Sequence, residues 1–336
     1  MSEYRQLVAE ALDAVRVTSP TRFSWHGACG PVLPPEVESG MDAQTARRYL
    51  VHALQAHLYA SFYCPGSARA RQPARQIQPQ PGFTPFVQAL SAANTGTGSR
   101  EAGWRVMRRT ADGKVVVARD GLTLWAQPGE VAGPAEPGAA VRLLLPKEML
   151  RLSPGFYLAL GDAGLDPDGA TVVRLYWNLR SDGAAALISM LTAALNKDRL
   201  RFRFKVINDP EGYFRCDAAV LYIVHGDYGR AADIVAATYP AIARHLKPAI
   251  PALTKRLADG LGLAEDPGPG GDSFGMHRCR LLADAVVRAH EHSGPGGARL
   301  SDVETRFAEE GLSLDRPYLN PRSADDYALA LPVPRP

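Results

Sequence analysis

Apolar residues change their spacing along the chain, and each spacing predicts a different element. From Tyr4 to Val15, and again from Asp42 to Tyr63, they recur at helical intervals. The second run reads Ala46, Tyr49, Leu50, Ala53, Leu54, His57, Leu58 behind an Asp cap, and Pro65 closes it. Residues 65–100 are rich in Gln, Pro, Arg, Ser and Gly without a sustained period and read as a mobile linker around a short helix. From Trp104 the interval shortens to two. Residues 104–109 and 115–119, joined across Asp112-Gly113, predict a tight β-hairpin, and residues 122–126 and 141–145 predict two further strands.

After a Pro/Gly stretch the pattern becomes mixed. Residues 156–160, 172–179, 202–206 and 218–224 are apolar runs of strand length, and helices are expected from Asp182 through Leu195 and over 229–245, 251–261 and 278–290. A Gly/Pro-rich loop fills 262–277, and the chain turns loop-like again after Gly294. The fold class is therefore α+β. A helical N-terminal region (1–100) and a small antiparallel, β-rich peptide- or partner-binding region (101–150) precede a mixed α/β C-terminal domain (151–293), with a loop-rich tail over 294–336.

Composition narrows the function. The 336 residues are 46% hydrophobic, and 38 basic residues against 35 acidic ones give a net charge of only +3, which argues against a surface built for nucleic acid. Any basic site is local. Cys29, Cys64, Cys216 and Cys279 are widely separated without a CxxC pair, which reads as buried thiols in a reducing cytoplasm, with no metal site. No apolar run reaches the length of a membrane span. No GxGxxG or Walker loop opens a helix, and Gly268-Pro-Gly-Gly-Asp lacks the Lys-Ser/Thr of a phosphate loop.

The densest polar constellation lies between residues 172 and 228. Strand alternation puts Arg174, Tyr176 and Asn178 on one face of their run, and Arg203 and Lys205 together on one face of theirs. Arg215 follows a turn, Tyr222 rides on the next apolar strand, Lys255 falls early in an expected helix, and Arg278 follows the Gly-rich loop. Cations embedded in apolar strands need anionic partners, and the nearby Asp209, Glu211 and Asp217 are few. Either these carboxylates or a bound phosphate would serve.

Several strings resemble the Hop A-class type III effector family: Tyr176-Trp-Asn-Leu179, Phe204-Lys-Val-Ile-Asn208, Tyr213-Phe-Arg-Cys-Asp-Ala-Ala-Val-Leu-Tyr222, Leu263-Ala-Glu-Asp-Pro267, and Ser273-Phe-Gly275 with Arg278-Cys279. The resemblance covers residues of about 150–290. Relatives in clusters for class V lanthipeptides and thioamitides are assigned an elimination step beside an aminoglycoside-phosphotransferase-like kinase. A more distant likeness to phosphothreonine lyases rests on Arg174-x-Tyr176, then Phe204-Lys205-Val206, then Arg215, in the same order and similar spacing. It implies a lyase-like C-terminal domain that makes dehydroalanine or dehydrobutyrine from phosphoserine or phosphothreonine, without a cofactor. Lys205 would be the base and Tyr176 would stand in the general-acid place, which in that family is a His. Arg174, Arg215 and Arg278 would hold phosphate, with Arg203 and Lys255 as further candidates and Asn178 and Tyr222 as further catalytic candidates.

The chemistry suits these residue types. Arginines neutralise charge on a departing phosphate, and an amine set among other cations becomes a better base for an α-proton. The implied partners are a phosphorylated precursor peptide, leader and core, and the kinase, with neither nucleic acid nor membrane. The N-terminal helices and small sheet would recognise the leader or dock the kinase, and a precursor could add as a strand to the 104–126 sheet. The alternative is a non-catalytic, effector-like module that binds a protein partner.

Overall fold

The computed structural model describes residues 2–65, 84–119, 121–167, 169–268, 271–294 and 297–331. Residues 66–83 of the linker expected over 65–100 lie outside these, as do part of the 268–272 loop and the last residues of the expected tail.

The N-terminal region is helical but not wholly so. Helix α1 (Glu3–Ala14), capped by the Ser2 hydroxyl, buries Val8, Ala11 and Leu12 on one stripe. It runs directly into an antiparallel meander of β1 (Val15–Ser19), β2 (Arg22–Trp25) and β3 (Ala28–Cys29), which the helical pattern concealed because only Val15, Val17 and Phe23 of it are buried apolar residues. After α2 (Pro35–Ser39), the Asp42 carboxylate accepts from the Thr45 amide and opens α3 (Ala43–Leu58), a cap worth about 1 kcal/mol. The helix widens into one π turn, Tyr59–Tyr63, before Pro65. The short helix expected in the linker is α4 (Pro85–Ala93).

A five-stranded antiparallel sheet follows: β4 (Ser99–Arg109), β5 (Val115–Arg119), β6 (Leu122–Ala126), β7 (Val131–Ala132) and β8 (Ala140–Leu145), in the order β6-β5-β4-β8-β7. Trp104, Val106, Val115, Val117, Leu143 and Leu145 form a core of its own on one face.

The main sheet has seven strands, β9 (Glu148–Met149), β10 (Phe156–Leu160), β11 (Val172–Trp177), β12 (Phe202–Ile207), β13 (Ala219–Val224), β14 (Lys255–Ala258) and β15 (Leu261–Glu265). Their order is β14-β15-β11-β13-β12-β10-β9, every pair antiparallel. Because β11 and β12 both run against β13, they are parallel to each other and need a crossover, which α5 (Ala184–Lys197) provides. The helices α6 (Tyr228–Ile242), α7 (Phe274–Ser293) and α8 (Leu300–Glu309) complete the fold. All six residues of β11 are buried, so the sheet is covered on both faces there. One core cluster draws on residues from Val8 to Tyr327 and includes α1, α3 and the sheet.

Four expectations are corrected here. The helix expected over 251–261 is the hairpin β14–β15. Leu253, Leu257 and Leu261, four apart, mimic a helical stripe, but Asp259-Gly260 turns the chain, with Gly260 at φ +69° where a Cβ would meet the Lys247 carbonyl at 2.5 Å. The loop expected over 262–277 accordingly begins with β15, which lies against β11. The tail after Gly294 contains α8, whose Val303 and Phe307 are fully buried. Helix α7 also starts earlier than expected, at Phe274 behind a Ser273 cap, and Gly275 lets it lie on the Tyr63 ring, where a Cβ would collide with a ring carbon.

Candidate functional site

Strand register gathers the candidates into rows. Arg174, Tyr222 and Arg203 are directly opposite one another across β11, β13 and β12. The two guanidinium carbons stand 5.2 and 4.9 Å from the Tyr222 ring centre, a cation–π arrangement from both sides. The next row is Tyr176, Val220 and Lys205 on the same face. Lys205 is half-buried, with Nζ 4.1 Å from the Phe156 ring centre; among the described residues it has neither ion pair nor hydrogen bond.

The arginines are not waiting for phosphate alone. Asp266 takes Nε and Nη2 of Arg174 at 2.8 and 2.6 Å, and Asp166 takes Nε and Nη2 of Arg203 at 3.0 and 2.8 Å. Arg215 makes a bidentate pair with Asp217, both contacts at 2.7 Å. Around that pair Tyr59 donates to Asp217 at 3.0 Å and accepts from Arg215 at 2.9 Å, while the Cys64 thiol donates to Asp217 at 3.1 Å. Burial would raise the Asp217 carboxyl, but Arg215, Cys64 and the nearby Lys205 charge overcome it and hold it well below the usual carboxylate range.

Three candidates sit apart from these rows. Lys255 lies in β14, not in a helix, and pairs in register with Leu263, hence on the face opposite Tyr176; its Nζ binds Asp325 and the Tyr327 carbonyl, both at 2.6 Å. Arg278 is fully buried and donates to the carbonyls of Pro317 and Leu319 at 2.8 and 2.9 Å. Burial lowers its guanidinium to about 10, against the pull of Tyr176 and Glu265. Asn178 donates to the Ala249 carbonyl at 2.8 Å, and its Oδ1 is buried without a partner.

Tyr176 is enclosed. Its ring faces Phe274 at 6.5 Å, its hydroxyl beside Tyr63 and Arg174 makes no hydrogen bond, and burial, partly offset by Arg174, pushes it up to about 12. His277, the nearest histidine in sequence to Arg278, is held at about 4 by burial and by Arg278 itself.

Sequence reasoning missed the counter-charges. Asp266 is 92 residues from Arg174, Asp166 is 37 from Arg203 and Asp325 is 70 from Lys255, so no local spacing announces them. Asp217, two residues from Arg215, was the legible one. Phe156, the ring beside Lys205, was visible only as an apolar strand residue.

The sequence profile of the HopA1 effector protein family matches residues 148–319, from the first strand of the seven-stranded sheet to the segment that Arg278 holds. The chain belongs to this family. Among solved structures, the effector protein from Pseudomonas syringae pv. tomato strain DC3000 is 17% identical, covering 70% of this chain and 80% of that one at a TM-score of 0.44. The effector protein from Pseudomonas syringae pv. syringae strain 61 is 20% identical, covering 50% of this chain and 63% of that one at a TM-score of 0.40. No curated protein matches. Among the described residues no helix is long and apolar enough to cross a membrane.

Proposed function

We propose that this HopA1 family member is a carbon–oxygen lyase that eliminates phosphate from phosphoserine or phosphothreonine in a precursor peptide, giving dehydroalanine or dehydrobutyrine during lanthipeptide or thioamitide biosynthesis. The observation that carries the reading is Lys205: among the described cations on its face it alone has no carboxylate, and it stands one row from the Arg174–Tyr222–Arg203 stack.

The amine takes the α-proton, the released pair forms the Cα–Cβ double bond, and the Cβ–O bond breaks with phosphate leaving. Asp266 and Asp166 occupy Nε and Nη2 of the two arginines, so Nη1 of each is left to receive phosphate oxygens. The carboxylates fix the guanidiniums in place, which is the preorganisation that charge stabilisation needs. Tyr222, not Tyr176, suits the general acid. It stands between the two guanidiniums that would hold the phosphate, and it is the diagonal neighbour of Lys205 on the adjacent strand. Such neighbours lie roughly 7–8 Å apart, enough to bracket an H–Cα–Cβ–O unit. The phosphate would come from the aminoglycoside-phosphotransferase-like kinase.

A second reading, a non-catalytic module that binds a protein partner, is favoured by the same ion pairs, since Arg174, Arg203 and Arg215 are satisfied without a ligand. Mass spectrometry separates the two. A phosphorylated Ser/Thr peptide incubated with the chain loses the elements of phosphoric acid under the first reading, and the Lys205→Ala variant leaves it intact. No loss with kinase and cognate leader present establishes the second.

A further inference from the structure

The two ends of the five-stranded sheet are finished differently. β7 is two residues long and follows the short Pro128–Glu130 turn, so it offers little backbone to another chain. β6 is the uncharged, proline-free run Leu122-Thr-Leu-Trp-Ala126, and among the described residues it pairs with β5 alone. Proteins protect such edges with charges, prolines, bulges or brevity, because an open edge recruits strands. β6 has none of these. Trp125 is 60% exposed at that edge and Met107, on the same face of the sheet, is 56% exposed.

Register shows what surrounds the edge. Trp125, Val116 and Arg108 form one row, and Thr123, Ala118 and Arg105 the next. Arg105, Arg108 and, on β8, Arg142 are exposed on this face, and none has a carboxylate partner among the described residues. The inner ion pair of the sheet, Arg119 with Glu101, shows that the segment can neutralise a cation where it needs to. An open polypeptide edge on a sheet whose exposed face carries unpaired arginines, two strands in on β4 and three on β8, is complementary to one kind of partner: an extended chain carrying carboxylates. Nucleic acid or an anionic membrane would answer the arginines but has no use for the backbone edge.

We propose that β6 accepts an added strand from an acidic, extended segment of the polypeptide substrate, its carboxylates lying over the sheet toward Arg105 and Arg108 and its backbone pairing with Thr123 and Trp125. This rests on the lyase reading only in calling the peptide a substrate, and it places the recognition of that peptide on a different sheet from the reacting residue.

The test uses a fluorescein-labelled peptide of alternating Glu and Val, without Ser or Thr, titrated into the full chain by fluorescence anisotropy. Saturable binding is expected, weakened about tenfold or more by Trp125→Ala and by the pair Arg105→Glu and Arg108→Glu. On the unaltered chain, a peptide of equal charge with proline at every second position loses the binding, and the bound Glu-Val peptide slows amide exchange at Thr123 and Trp125. Equal binding of the proline peptide, unchanged affinity in folded variants, or tighter binding of oligo-dT or phosphatidylglycerol vesicles overturns the proposal. A short phosphopeptide lacking the acidic segment reports elimination separately. Elimination without Glu-Val binding defeats the edge alone, and Glu-Val binding without elimination defeats the lyase reading alone.

Discussion

In the seven-stranded sheet and the turn that leads into its strand β13, Arg174, Arg203 and Arg215 each meet a carboxylate within 2.8 Å, whereas in the five-stranded sheet Arg105, Arg108 and Arg142 stand exposed without one among the described residues. The first sheet is covered on both faces along β11, so a cation there must be neutralised from within, and the neutralising carboxylate also fixes its direction. The second buries one face, and water screens its arginines at little cost. Fixed charges suit chemistry, where a transition state has one geometry. Unfixed charges suit recognition of a chain whose residues vary. Under the proposed lyase function, the two sheets would divide between them the reacting group and the rest of a peptide.

That division can be broken from either side. Lys205→Ala should cost the largest effect, a ~10²–10⁴-fold loss of elimination rate by mass spectrometry, with the thermal midpoint little moved because Nζ makes neither ion pair nor hydrogen bond among the described residues and rests only on the Phe156 ring. Asp217→Asn should destabilise the fold by ~3–5 kcal/mol in urea denaturation, since Arg215 is then left buried and uncompensated. Replacing both residues by apolar ones should recover much of that loss. The Asp217 carboxyl is depressed in the folded state, so its contribution is complete above the unfolded value near ~3.9 and falls away as pH drops below it. The acid limb of the stability curve should flatten in Asp217→Asn.

Tyr222→Phe should slow elimination by about tenfold or more, while Tyr176→Phe, whose hydroxyl is enclosed beside Tyr63 and Arg174, should leave the rate nearly intact. The reverse ranking would put the acid on β11 and undo the diagonal pairing. Arg108→Glu is the smallest: stability within ~0.5 kcal/mol of the parent in the same urea assay, and an unchanged rate on short phosphopeptides. A stability loss beyond that would mean the five-stranded sheet also depends on its charges.

How much of this was legible follows from distance along the chain. Arg203 with Lys205, and Arg174 with Tyr176, were readable as shared faces because strand alternation is a local rule. The α+β class and the Asp112-Gly113 hairpin came from the same kind of signal. The carboxylates that answer the arginines come from loops tens of residues away, so the cations looked more needy of phosphate than they are. Asp259-Gly260 carried the same turn signal as Asp112-Gly113, but evenly spaced leucines outweighed it, and Lys255 was put on a helix in consequence. Tyr59 went unremarked and Cys64 was read only as a buried thiol, because their roles beside Arg215 and Asp217 depend on a helix arriving from elsewhere in the chain.

That helix has a consequence for how the molecule could be divided. The family match begins at residue 148, yet the Arg215–Asp217 pair is completed by Tyr59 and Cys64, and the core beneath it by Leu50, Leu54 and Leu58. A chain trimmed to the borders of its own family would face water where it expects α3. Supplied as a separate peptide, residues 2–65 should seat themselves on it and make the molecule whole again, as a split protein reassembles from its halves.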